Sequence, residues 1–134
     1  MAGIHYPRPL HGSAAEFQIS SWPYFYNYAT VSNTVQKLKL PYVSRHFTII
    51  NNGTHPVRVG VTENGVISSP DPNYFVVEGG KESPRLEIKT DQLFFVRHEN
   101  SNNATNVSVI VGMTSVKNRD FLVLSASEGF EGIG

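Results

Sequence analysis

The chain has 134 residues, no cysteine, and 11 basic residues against 11 acidic ones. That length favours one domain able to bury roughly two thirds of its unfolded surface, enough for a core without staples. The missing cysteines exclude a disulfide framework and a thiolate metal site, and the balanced charge implies no basic face, which argues against nucleic acid as the main partner.

Residues 1–15 carry Gly3, Pro7, Pro9 and Gly12 without any period and read as an extended or disordered arm. Met1 to Arg8 lacks the apolar run of a signal peptide, and no apolar stretch approaches bilayer-spanning length. The expectation is a soluble product without a membrane-spanning segment. Residues 16–126 then read as one β domain. Glu16 to Ser20 suits a short strand. Trp22-Pro23-Tyr24-Phe25-Tyr26-Asn27-Tyr28 is an aromatic cluster in which Pro23 is expected to interrupt any ladder. Val31 to Leu40 is irregular and reads as a strand ending at Pro41, because the residue before proline is pushed to extended geometry.

In Arg45 to Asn51, Phe47 and Ile49 face one way while His46, Thr48 and Ile50 face the other. After the turn-rich Asn51 to Pro56, Val57, Val59 and Val61 alternate with Arg58, Gly60 and Thr62, a half-buried strand by its period of two. The two are expected to form a hairpin. Asn64-Gly65 favours a turn, since both residues tolerate positive φ, and Ser68 to Asn73 is a loop. Tyr74 to Val77 is a short strand closed by Gly79-Gly80, and Arg85 to Lys89 alternates with Leu86 and Ile88 inward. Leu93 to His98 follows Thr90-Asp91. Beyond the polar run Glu99 to Asn106, the series Val107, Val109, Val111 and Met113 is the cleanest alternation in the chain. Phe121 to Leu124 suits a last strand before the Gly-rich tail 127–134. Eight or so short strands spaced by turns argue for an all-β antiparallel sandwich, a single jelly roll, with no helix required.

No constellation demands chemistry. Acyl transfer needs a nucleophile held against an oriented base, and no Gly-x-Ser-x-Gly elbow is present. His5, His11, His46, His55 and His98 are dispersed, with no His-x-His pair and following Glu of the cupin kind. Glu78, Glu82, Glu87, Asp91 and Glu99 fall in loops or alternate outward rather than flanking a bond as a glycosidase pair would. Gly79-Gly80-Lys81 lacks the spacing and helix of a phosphate loop. Three sequons, at Asn52, Asn103 and Asn106, serve as loop markers. The reading is therefore not an enzyme, with no catalytic residue, cofactor or metal.

Trp22, Tyr24, Phe25, Tyr26 and Tyr28 are the candidate interaction residues. They can form a ligand platform or protein-contact anchor, since Trp and Tyr dominate hot spots. They can equally plug one end of the sandwich, with Trp22, Tyr24 and Tyr26 alternating against Pro23, Phe25 and Asn27. Charged residues make up only 16% of the chain, against about 25% in globular domains. Either β faces carry Ser, Thr and Asn instead, or neighbours in an assembly cover the surface.

The runs Phe47 to Asn52, Val57 to Gly65, Tyr74 to Gly80 and Leu86 to Phe95, with the tail Gly129-Phe130-Glu131-Gly132, resemble viral capsid single jelly rolls over residues 45 to 134. The pattern is most like the penton proteins of large icosahedral double-stranded DNA viruses, which cap the five-fold vertices. The resemblance implies a structural capsid protein of the virion, made in the host cytoplasm. Its partners would be copies of itself, as a homopentamer, and neighbouring capsid proteins, and there would be no catalytic residues. A five-fold ring closes by heterologous contacts, with the arm 1–15 and the tail ordering in the assembly. Two other classes stay open: a carbohydrate- or receptor-binding β-sandwich such as a viral fibre tip, using Trp22 to Tyr28, and a small cupin-like enzyme.

Overall fold

Alternation along Val107, Val109, Val111 and Met113 builds the longest strand and the spine of one sheet. The computed structural model describes residues 22–31, 33–67, 73–98, 105–124 and 132–133. In chain order the elements are β1 (Trp22–Val31), β2 (Gln36–Lys39), β3 (Tyr42–Asn51), β4 (Val57–Gly60), α1 (Glu63–Ile67), β5 (Phe75–Val77), β6 (Gln92–Arg97), β7 (Thr105–Lys117) and a 3₁₀ turn (Asn118–Asp120). The arm 1–15, the expected strand Glu16 to Ser20 and most of the tail lie outside the described residues.

Two antiparallel sheets face each other. One has the order β1-β7-β3 and the other β2-β6-β4-β5. Residues 82–86 add a fragmentary eighth strand outside β3, through bridges Ile50 to Glu82 and Phe47 to Leu86. Counting that fragment, the pairs run first with last, second with seventh, third with sixth, and fourth with fifth. That is one long hairpin wrapped into two sheets, the jelly roll. Phe47, Ile49, Val57, Val59, Leu93, Phe95, Val107, Val109, Val111 and Met113 point between the sheets and are almost wholly buried. β6 is buried on both faces. Its outward Phe94 and Val96 pack beneath Val66 of α1, with Val35 and Tyr74 beside them, as the unbroken run Leu93 to Val96 allows. No helix among the described residues is long and apolar enough to cross a membrane.

Several expectations are corrected. β3 and β4 do not form a hairpin: β3 pairs with β7 and β4 with β5 and β6. Residues 52–56 instead carry the chain from one sheet to the other. The buried Asn51 side chain holds that crossing. Its amide donates to His55 O at 2.6 Å and Val77 O at 3.0 Å, and its carbonyl accepts from the Gly53 N–H and the Thr105 hydroxyl. Alternation reports which face of a strand is buried and is silent about which strand lies beside it. Asn64-Gly65 sits inside a helical turn rather than ending a strand, because Thr62 accepts the Gly65 N–H at 3.0 Å and caps it. Val31 to Leu40 is split between the end of β1 and β2.

Arg85 to Lys89 is not a strand. Leu86 exchanges both backbone bonds with Phe47, at 2.9 and 3.0 Å, and is partly buried, but Ile88 is 39% exposed. The ladder fails locally because the Ile49 N–H donates to the Ser83 hydroxyl at 2.9 Å instead of to a backbone carbonyl, and Pro84 has no N–H to offer. Phe121 to Leu124 is irregular too, following the 3₁₀ turn. Nor does Pro23 interrupt its ladder. It lies opposite Gly112 in a register that runs unbroken from Trp22 to Tyr28. An outermost strand tolerates proline wherever the missing N–H would face away from its neighbour.

Candidate functional site

β1 reads Trp-Pro-Tyr-Phe-Tyr-Asn-Tyr-Ala-Thr-Val and contains no charged residue. Its aromatic content and β-branched end favour the pleat. It forms one margin of its sheet, paired along one side with β7. Among the described residues no backbone hydrogen bond reaches it from the other side.

The period of two divides the five aromatic residues. Trp22, Tyr24, Tyr26 and Tyr28 stand opposite Met113, Val111, Val109 and Val107, the inward set of β7, whereas Phe25 stands opposite Ile110 on the outer face. Tyr24 and Tyr28 pack against the core. Tyr28 lies 5.4 Å from the Phe95 ring and 4.8 Å from Tyr26. Its hydroxyl donates to Lys37 O at 2.7 Å, which ties β1 to β2 across the side of the sandwich. Burial, with the neighbouring Tyr26 and Tyr24 adding to it, pushes the Tyr28 phenol up to about 12, because the phenolate would lose its hydration.

The remaining aromatics are largely outside. Trp22 is 43% exposed, Phe25 68% and Tyr26 40%. Trp22 meets Tyr42 edge to face at 4.7 Å. Trp22, Pro23 and Phe25 also border a shallow depression of about 380 Å³ on the outer face, with His46, Ile110 and Gly112. The His46 ring lies directly over Gly112, so close that a Cβ there would stand 2.2 Å from Nε2. Burial first, then the charge of Arg85, push the His46 imidazole below its ordinary range, with Glu87 opposing and Arg45 adding to the effect.

The structure thus brings all five candidates onto one strand and assigns them to two faces. Tyr24 and Tyr28 close the core beneath β1, Tyr28 reaching across to β2, while Trp22, Phe25 and Tyr26 stay substantially exposed. His46, Ile110 and Gly112 extend the surface and were not among the sequence candidates. Ile110 carried a readable signal, being the one large apolar residue in the outward series Asn106, Ser108, Ile110 and Gly112. Elsewhere His55 lies in the crossing 52–56, and His98 accepts from Arg58 Nε at 3.2 Å. Among the described residues no group of three or more His, Asp or Glu side chains could hold a metal ion.

Comparison with known proteins finds no family model that matches the chain, and no curated protein or solved structure similar to it.

Proposed function

We propose that the chain is a structural subunit of an icosahedral viral capsid, a vertex capsomer built as a ring of five copies in which β1 is a contact strand. The observation that carries this reading is β1 itself, ten residues long, uncharged and aromatic, with Phe25 on the outer face and Trp22 and Tyr26 left substantially exposed. A long apolar sheet margin invites pairing unless something covers it, and aromatic side chains in such positions anchor interfaces. Covering what remains exposed of each of the three would contribute on the order of 1–2 kcal/mol before the costs of association. The jelly-roll order and the likeness to capsid single jelly rolls support the same reading. A five-fold ring cannot pair β1 with β1, because that contact is two-fold and stops at a dimer. β1 of one copy therefore meets a different surface of its neighbour, and further capsid proteins surround the ring.

Native mass spectrometry of the full chain tests this directly. A pentamer supports the reading, and a monomer at every concentration overturns it. The second reading, a glycan- or receptor-binding sandwich, draws on the depression beside Trp22 and Phe25. It requires a monomer or trimer that binds a glycan and loses that binding on Trp22→Ala.

A further inference from the structure

Phe121-Leu122-Val123-Leu124 is the one run of four apolar residues that lies wholly outside both sheets among the described residues. Its composition suits a strand, and Phe121 is extended, with φ −99° and ψ 161°. The Phe121 ring packs on the small satellite core of Val43 and Val116, and its N–H donates to Asn118 O at 3.2 Å. Among the described residues no backbone bond holds Leu122, Val123 or Leu124. Leu122 is 39% exposed and Val123 71%. The segment borders a shallow hollow with Lys39, Asp91 and Gln92, beside the end of β2 and the start of β6. No described backbone bond joins it to β1 of its own chain.

β1 shows the converse. It is a strand paired with β7 on one side, and among the described residues no backbone bond reaches the other. We propose that residues 121–124 of one copy add a strand to β1 of the next copy, along Tyr24 to Tyr28. Strand addition draws affinity from main-chain hydrogen bonds and specificity from alternate side chains. Neither segment contains a charged residue, so the contact desolvates no charge. Leu122 and Val123 come beside Phe25 and the tyrosines, and such aliphatic–aromatic cross-strand pairs are stabilising. Pro23 has no N–H to offer, which keeps the added strand on the far side of it. The two surfaces belong to different parts of the chain. Their contact is therefore heterologous and can repeat around a closed ring. The inference rests on the ring reading and names the surface that β1 meets there.

The chain has no cysteine, so two introduced thiols can report the contact without background. Asn27 and Val123 are both exposed. The full chain carrying Asn27→Cys and Val123→Cys is treated with a bismaleimide of about 8 Å reach, enough for opposite and diagonal neighbours on adjacent strands. A denaturing gel is expected to show a ladder of joined copies. Ile67→Cys in place of Asn27→Cys, on the exposed side of α1, should leave single chains. Native mass spectrometry of the same sample separates the two failures. A pentamer that gives no ladder, or that links only within single chains, overturns strand addition and leaves the ring standing. A chain that is monomeric at every concentration overturns both. Val123→Asp provides a readout without a cross-linker. It should weaken association about a hundredfold by sedimentation velocity while the urea midpoint stays in place, and unchanged association is equally fatal.

Discussion

Four margins bound the two sheets, and three carry devices that keep a β edge from pairing with foreign strands. β2 is four residues long and carries Lys37 and Lys39, the latter paired with Asp91 at 2.9 Å. β5 has three residues and runs straight into Glu78 and the Gly79-Gly80 turn. The free side of β3 is covered by residues 80–90, which bond to Ser44, Phe47, Ile49 and Asn51 and bear Glu82, Pro84, Arg85 and Glu87. Charge, proline, brevity and cover are the usual means of blunting an edge. β1 has length and aromatic surface instead, and its single proline removes one donor without breaking the strand. The difference teaches where to look for a partner: three margins carry such devices, and among the described residues nothing covers the fourth.

Placing a guard on β1 is the strongest way to break the comparison. Phe25→Lys puts a charge in the middle of that margin. At 68% exposure the side chain contributes little to the fold, so stability should stay within about 0.5 kcal/mol. Association of the copies should weaken at least a hundredfold by sedimentation velocity. An unchanged oligomer would remove β1 from the interface. The same substitution at Val76 on the short β5 should leave assembly as it was.

Next in size is the inward half of β1. Tyr28→Ala removes a partly buried ring from beside Phe95 and the bond to Lys37 O. Full truncation of buried aromatics costs about 3–5 kcal/mol, so a half-buried one should cost about 2–3 kcal/mol in a urea titration. A loss under about 0.5 kcal/mol would mean that the flank is not sealed by this ring. Ser83→Ala probes the covered margin in the same assay. It strands the buried Ile49 N–H at a cost of about 1–2 kcal/mol, and Ser83→Thr should recover part of it.

Much of this architecture was readable before any coordinates. The inward sets of β3, β4 and β7 follow from alternation alone, as Phe47 and Ile49, Val57 and Val59, and Val107 to Met113 show. So does the division of the aromatic cluster, since a period of two separates Phe25 from Tyr24 and Tyr26. What alternation cannot carry is partnership. The hairpin expected of β3 and β4 fails because each strand finds its neighbours far along the chain, and the Asn51 bonds that steer the crossing reach Thr105, 54 residues on. Nor could it mark β1 as a margin, which depends on what lies beside it. Residues 82–86 show the converse. Their backbone holds the place of a strand, yet Ser83 and Pro84 deny it the regular ladder that a period of two implies.

The smallest effect is a matter of pH, and it separates the sealing role of Tyr28 from mere exposure. Its phenol is held near 12 in the folded chain against about 10 when unfolded. A group whose folded value is raised contributes stability that is fully present below the unfolded value and fades as pH climbs through the folded one. The folded chain should therefore lose stability between about pH 10 and pH 12 through this residue, because the unfolded chain releases the proton first. Tyr28→Phe loses the bond to Lys37 O, about 1 kcal/mol at neutral pH, and should lose the alkaline dependence with it. The measurement is the urea midpoint of both chains from pH 9 to pH 12. The gap between them should narrow as pH rises, and absorbance at 295 nm should show a late-ionising phenol that the variant lacks. Parallel midpoints would mean that the Tyr28 hydroxyl stands in water, and that the flank between β1 and β2 is as open as the margin beside it.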